Sequence, residues 1–222
     1  MSEVISRRER DIQVLTLNRP AKMNALTREM YAGLATGLNE AAGDSGVRAV
    51  VVTSEGDHFT AGNDIADFLA NPPTGQDSEV AKFLGSLLEF PKPLIAAVKG
   101  NAVGVGTTML LHCDVVIASP SAKFSMPFAS LGLVPEAGSS YLFPLLVGYQ
   151  RAAKIFFTGE SFGAESAREM GLVASIAADP LSEALELAKV IAANPPQAMI
   201  NTKALLKASK HDSVAAVMKA EF

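Results

Sequence analysis

The chain has 222 residues, 49% hydrophobic and 19% charged, which is enough for a buried core and too apolar for a disordered chain. A net charge of −4 and a pI of about 5.4, with no block of Lys or Arg, exclude the electrostatic footprint of a nucleic-acid or anionic-membrane binder. Its one cysteine, Cys113, excludes an internal disulfide framework and suits a reducing compartment.

The start, MSEVISRRERD, has no apolar h-region of a secretory signal. No apolar run approaches the ~20 residues of a membrane span. The chain therefore reads as soluble and cytoplasmic. Asp11–Leu17 (DIQVLTL) has the β-branched, alternating character of a strand, and NRPAKMNAL follows as a loop in which Pro20 breaks it. From Thr27, an N-cap by residue type, Met30, Leu34 and Leu38 recur at helical spacing. Arg48–Thr53 is a valine-rich strand, and 54–64 (SEGDHFTAGND) is a polar loop. Asp64 can cap IADFLA. Asn71–Asp77 is a Pro- and Gly-containing loop before a helix from about Ser78 to Glu89, which Pro91 and Pro93 end.

Leu94–Val98 is another apolar strand. Gly100–Gly106 reads as a loop entering a helix that runs to about His112. Asp114–Ala118 is a strand and Lys123–Ser125 a short one. Beyond about Pro135 the pattern is nearly all helical, with Gly163–Met170, Leu181–Ala193, Pro196–Ser209 and Ser213–Phe222 periodic and Leu172–Ile176 the exception. Strand–helix units followed by helices predict an α/β domain with a helical extension.

Several specific chemistries fail on spacing. A dinucleotide fingerprint on Gly104-x-Gly106 needs a third glycine where Met109 stands, and a P-loop needs Lys-Ser/Thr where Thr107-Thr108 follow. His58, His112 and His211 fall in no metal-ligand spacing, so no metal site is expected. No G-x-S-x-G elbow is present. Cys113 reads as core packing and His112 as a helix-end residue.

Two small-residue loops remain, FTAGND (59–64) and GNAVGVG (100–106). Glycine there lets the backbone approach a ligand closely, and the first N–H groups of a helix lack intrahelical partners. The loops are either two tight turns or the two halves of an oxyanion hole, whose donors contribute about 3–4 kcal/mol each in acyl transfer. One carboxylate, Glu136, stands alone between Lys123 and Arg151. It is either the second residue of a helix begun by Pro135, where it favours the dipole, or a catalytic base.

NRPAKMNAL, FTAGNDI, PLIAAVKGNAVGVGTTMLLHCDVVIAS and FSMPFASLGLVPEAGSS, in this order and spacing, resemble the crotonase superfamily of enoyl-CoA hydratases and isomerases. The resemblance runs from about Asp11 to the chain end. It implies an α/β fold, a crotonase-like spiral of ββα units with a C-terminal helical region. It places the spiral core at residues 1–198 and the start of a helical trimerisation region at 199–222. Because Ser213–Phe222 stops without a cap and relatives continue with further helices, that region reads as incomplete.

The resemblance also implies an acyl-CoA thioester substrate, no cofactor beyond the coenzyme A carried by that substrate, and a homotrimer or hexamer. Its thioester oxygen would be held by the N–H groups of Asn63 and Val105. Lys22, Met23 and Ala25, with Asn24 in the same loop, would line the CoA path. Ala61, Gly62, Asp64 and Ile65 would follow the strand that holds the adenine end. Gly104 and Phe128 would border the acyl group, as would Leu133, Phe68 and Leu69, which read equally as ordinary core packing.

Hydratases of the family carry two glutamates, at positions where this chain has Thr108 and Phe128, residues poor at activating water and at delivering a proton. In the 3-enoyl-CoA isomerase branch the segment similar to SLGLVPEAGSS carries the sole catalytic carboxylate, which is Glu136 here. The resemblance thus implies a one-base isomerase moving a double bond from C3–C4 to C2–C3. The alternatives are another acyl-CoA reaction on the same site, such as hydration or hydrolysis, and a non-catalytic acyl-CoA-binding module.

Overall fold

The structure, a computed structural model, describes residues 2–70, 75 and 77–221. The chain opens with β1 (Val4–Glu9), β2 (Ile12–Leu17), α1 (Arg28–Gly43) and β3 (Ala49–Ser54). Next come α2 (Ile65–Ala70), α3 (Glu79–Glu89), β4 (Leu94–Val98), β5 (Asn101–Val103) and the single turn α4 (Val105–Thr108), which runs on as a 3₁₀ turn through His112. After β6 (Val115–Ala118) and β7 (Lys123–Ser125) the chain turns helical. It forms α5 (Ser139–Val147), α6 (Tyr149–Thr158), the two-residue β8 (Phe162–Gly163), α7 (Ala164–Glu169) and the two-residue β9 (Ser175–Ile176). It then ends in α8 (Pro180–Ala192), α9 (Pro196–Ala208) and α10 (His211–Glu221).

Six strands form one sheet in the order β1-β2-β3-β4-β6-β9, parallel except for the β1–β2 pair. A second sheet has the order β5-β7-β8, and an isolated bridge from Thr60 to Ala102 extends it. The windings alternate between sheets. β3 precedes Thr60, β4 precedes β5 and β6 precedes β7, so each turn of the chain gives a strand to the large sheet and the next to the small one. This is the crotonase-like spiral with a helical C-terminal region.

The central strands of the large sheet, β3 and β4, read as continuous apolar runs because both of their faces are covered. Leu15, Leu17, Val50, Val52, Leu94, Ala96 and Val98 enter the main core with α1 and α3. Ile12, Val14, Val51, Ile95 and Ala97 face the other way, onto Ala184 and Ala188 of α8. Thr27 caps α1 through its Oγ1, which accepts from the Met30 N–H at 3.2 Å, and Ser78 caps α3 in the same way.

One reading of the sequence is corrected and one strand is added to it. Asn101–Val103 is a strand rather than a loop, paired with β7 and with Thr60. Val4–Glu9 is an edge strand, unread because its charged residues show no alternation. A boundary at 198/199 falls inside α9, an unbroken helix started by Pro196. Most of the loop expected at Asn71–Asp77, and Phe222, lie outside the described residues. No helix among the described residues is long and apolar enough to cross a membrane.

Candidate active site

The small sheet sets the site. The Thr60 N–H donates to Asn101 O at 3.0 Å, and the Val103 N–H donates back to Thr60 O at 3.0 Å. The chain at 60–63 therefore runs beside 102–105 in parallel register. Asn63 and Val105 each lie three residues past this bridge. Gly62 lets the two lines run this close. Its φ is 86°, and a Cβ there would stand 2.9 Å from Val103 O. Gly104, with φ 56° and ψ −119°, turns β5 into α4 and leaves the Val105 N–H at the first helical position. Among the described residues, neither the Asn63 nor the Val105 N–H has an acceptor.

The loop at 18–26 is tied to the same place. Asn24 is buried with φ 53°, its Oδ1 accepts from the Arg19 N–H, and its amide donates to Glu55 O and His58 O at 2.8 Å each. The Ala61 N–H donates to Met23 O at 2.9 Å, and the Leu26 N–H to Gly62 O at 2.7 Å. Lys22 and Met23 are thereby held at the surface, Met23 48% exposed, beside Ala25 and Ala61. Asp64 does cap α2, accepting from the N–H groups of Ala66 and Asp67, and pairs with Arg19 at 2.7 Å. These partners hold its carboxyl below the usual range. Ile65 and Leu69 of α2 are 65% and 73% exposed.

Glu136 is not in a helix. The reading that Pro135 starts a helix with Glu136 second is corrected, because α5 begins at Ser139. Ala137 and Gly138, at φ 61° and 69°, form a left-handed turn between them, a conformation rarely adopted by alanine and not readable from its side chain. The turn frees the carboxylate to face α4, where Thr108 Oγ1 donates to Glu136 Oε1 at 2.6 Å. Burial pushes the Glu136 carboxyl up to about 7, against the lowering effect of the Thr108 hydrogen bond and with a further push from the Glu221 charge.

Two buried side chains complete the surroundings. His112 Nε2 lies 2.7 Å from Ala137 O. A carbonyl only accepts, so Nε2 carries the hydrogen, and burial lowers the imidazole to about 4, which keeps it neutral. The Tyr31 hydroxyl donates to Asn63 Oδ1 and is held protonated by burial and by the Glu136 charge. Phe128 is buried with its ring against Gly104, while Leu133 is 45% exposed in the segment leading to Glu136. Phe68 is only partly buried. Cys113 packs with its Sγ near Met109 O, its thiol pushed up to about 12 by burial.

The structure thus brings Asn63, Val105, Thr108, Phe128 and Glu136 to one place. Sequence reasoning did not find Tyr31, His112 or the bonding role of Thr108. Only the last left a signal, since Thr108 follows Val105 by three residues and so shares its helix face.

The family model described as enoyl-CoA hydratase/isomerase matches residues 7–222. The chain is 35% identical over 223 residues to enoyl-CoA delta isomerase 2 of Rattus norvegicus, covering 96% of this chain and 56% of that one. It is 35% identical over 224 residues to 2,3-dehydroadipyl-CoA hydratase of Escherichia coli, covering 100% of this chain and 88% of that one. The solved structure of Pseudomonas aeruginosa OdaA superposes with a TM-score of 0.96 at 43% identity, covering 100% of this chain and 91% of that one.

Proposed function

The chain belongs to the enoyl-CoA hydratase/isomerase, or crotonase, family, and from that premise we propose that it is an enoyl-CoA isomerase moving a double bond from C3–C4 to C2–C3. The observation that carries this reading is Glu136, a buried carboxylate that Thr108 Oγ1 meets at 2.6 Å and that burial raises to about 7. Ionised, it removes a C2 proton from the 3-enoyl thioester. The C2–H electrons move into the conjugated dienolate, whose charge collects on the thioester oxygen. The N–H groups of Asn63 and Val105 donate to that oxygen. The protonated Glu136 then returns the proton to C4, the C2–C3 double bond forms and the carboxylate is regenerated.

A group with a pKa near the working pH serves both steps, because it accepts and releases a proton at similar cost. The cycle consumes neither water nor an oxidant, and coenzyme A enters only as part of the substrate. Thr108 and Phe128, where a hydratase pair would stand, supply neither a water-activating base nor a second acid. Lys22, Met23, Ala25, Ala61, Gly62, Asp64 and Ile65 are assigned to the CoA path, and Gly104, Phe128 and Leu133 to the acyl slot. The same reading carries assembly into a homotrimer or hexamer. The exposed Leu145, Leu146, Tyr149, Phe157, Leu205 and Leu206 of α5, α6 and α9 support it.

Similarity to a hydratase over the whole chain keeps hydration as the competing reaction. The test is turnover of a 3-enoyl-CoA, followed by the absorbance of the conjugated 2-enoyl thioester, in wild type and Glu136→Gln, with hydration of a 2-enoyl-CoA measured alongside. Isomerisation that the Glu136→Gln substitution abolishes, with weak hydration, supports the proposal. Equal turnover by the two proteins, or hydration faster than isomerisation, overturns it.

A further inference from the structure

The turn that aims Glu136 is held from a distant part of the chain. The Gly138 N–H donates to Glu221 Oε2 at 2.6 Å, and both the N–H and the hydroxyl of Ser140 donate to Glu221 Oε1, at 3.1 and 2.6 Å. Glu221 lies in the last turn of α10, more than 80 residues from its partners. Its seat is packed as well as bonded. A Cβ on Gly138 would lie 2.8 Å from Val214 and 3.3 Å from Met218, both buried on α10.

Gly138 offers no side chain to cap α5; the Ser139 and Tyr141 N–H groups find the carbonyls of Glu136 and Gly138 at 3.0 and 3.1 Å, and the Ser140 N–H, which has no such local acceptor, takes Glu221. The left-handed pair Ala137–Gly138 is thus pinned at two peptide groups. His112 holds the Ala137 carbonyl, and Glu221 holds the Gly138 amide.

We propose that Glu221 is a positioning residue for Glu136, so that docking of α10 on the 137–140 turn is required to aim the catalytic carboxylate. The inference rests on the reading of Glu136 as the proton shuttle. Release of the Gly138 amide lets the turn relax from two consecutive positive-φ residues, and the carboxylate one residue earlier swings with it. Misplacement by about 1 Å is enough to lose about 100-fold in rate. The Glu221 charge also acts on Glu136 directly, in the same direction as burial. Among the described residues, the titratable groups facing Glu136 are Glu221 from α10 and Tyr31 from α1, with neutral His112 one peptide away.

The experiment compares wild type, Glu221→Gln and Glu221→Asp in two readouts. The first is the carboxyl ¹³C titration of Glu136, assigned by its disappearance in Glu136→Gln. The second is isomerase kcat and KM, normalised to folded protein by circular dichroism. In Glu221→Gln the Glu136 titration is expected to move to lower pH and kcat to fall about 10- to 100-fold with KM little changed. Glu221→Asp, which keeps the charge but shortens its reach, is expected to keep more of the titration shift and to lose kcat. An unmoved titration with kcat within about twofold, or lower stability with unchanged kcat per folded molecule, overturns the proposal. Absence of turnover in wild type would instead fail the isomerase reading, and the titration would still report whether Glu221 acts on Glu136.

Discussion

Thr108 donates its hydroxyl hydrogen to Glu136, Oγ1 to Oε1 at 2.6 Å. The next acceptor within reach of that hydroxyl is Val105 O, at 3.5 Å. A residue that looked like a missing glutamate is thus a partner of the remaining one. Hydrogen bonding to the ionised form lowers a carboxyl's proton affinity, so Thr108 opposes the effect of burial. Thr108→Val keeps the shape and removes the donor. The acidic limb of kcat/KM should then move to higher pH by about one to two units, since a hydrogen bond to a charged group contributes about 1.5–3 kcal/mol. A pH–rate profile of the variant checks this. The shift is opposite in sign to that expected for Glu221→Gln, so the pair separates a direct effect on Glu136 from general damage. An unmoved limb would remove Thr108 from the account.

Gly62 bears on the other half of the site. It is buried at φ 86°, with room for no Cβ in front of Val103 O. Gly62→Ala strains the backbone by about 1–3 kcal/mol and pushes the 60–63 line off the 102–105 line. On the proposed mechanism, the Asn63 N–H would then leave the position where it meets the thioester oxygen. Loss of one such donor typically costs about 10²–10³ in kcat. The variant is expected to fold, to bind the CoA ester with a KM changed less than kcat, and to lose turnover on that scale. Steady-state kinetics on the folded variant check it, and activity within about threefold of wild type would sink the two-donor reading.

The centre of the large sheet was legible because its strands bury both faces, and an unbroken apolar run such as Leu94–Val98 has no other good use, whereas the charged edge strand Val4–Glu9 went unread. Helix starts with a side-chain cap, Thr27 and Ser78, were legible for a local reason too. The strand Asn101–Val103 was not, because it has three residues between two glycines and exists only through pairing with Lys123–Ser125 and Thr60. The site followed the same division. Asn63, Val105 and Glu136 stand in recognisable motifs. What aims Glu136 is long-range: the ring of His112 on Ala137, the carboxylate of Glu221 on Gly138, and the left-handed turn itself. A helical residue whose partner lies tens of residues away carries no periodic signal.

The charge on Glu136 costs stability, and the sign of that cost is testable. Its folded value of about 7 stands above the ordinary 4.5. The native state therefore holds the proton more tightly than the unfolded chain, and stability from this group falls as pH rises through the window from about 4.5 to about 7. His112 works the other way. Its folded value of about 4 is below the ordinary 6.5, so its contribution is present above 6.5 and is lost as pH falls towards 4. The two effects overlap in wild type, and a single stability curve would hide both. The difference between Glu136→Gln and wild type removes His112, which both proteins share. The glutamine of that variant is uncharged and still offers an oxygen to Thr108. The stability advantage of Glu136→Gln is expected to be near zero at about pH 4.5 and to grow to at most about 3.5 kcal/mol above pH 7. Denaturant unfolding of both proteins at the two ends of that range measures it. A pH-independent difference would mean that the carboxyl titrates as an ordinary one, and the shuttle would lose the property that suits it to both accept and return the proton.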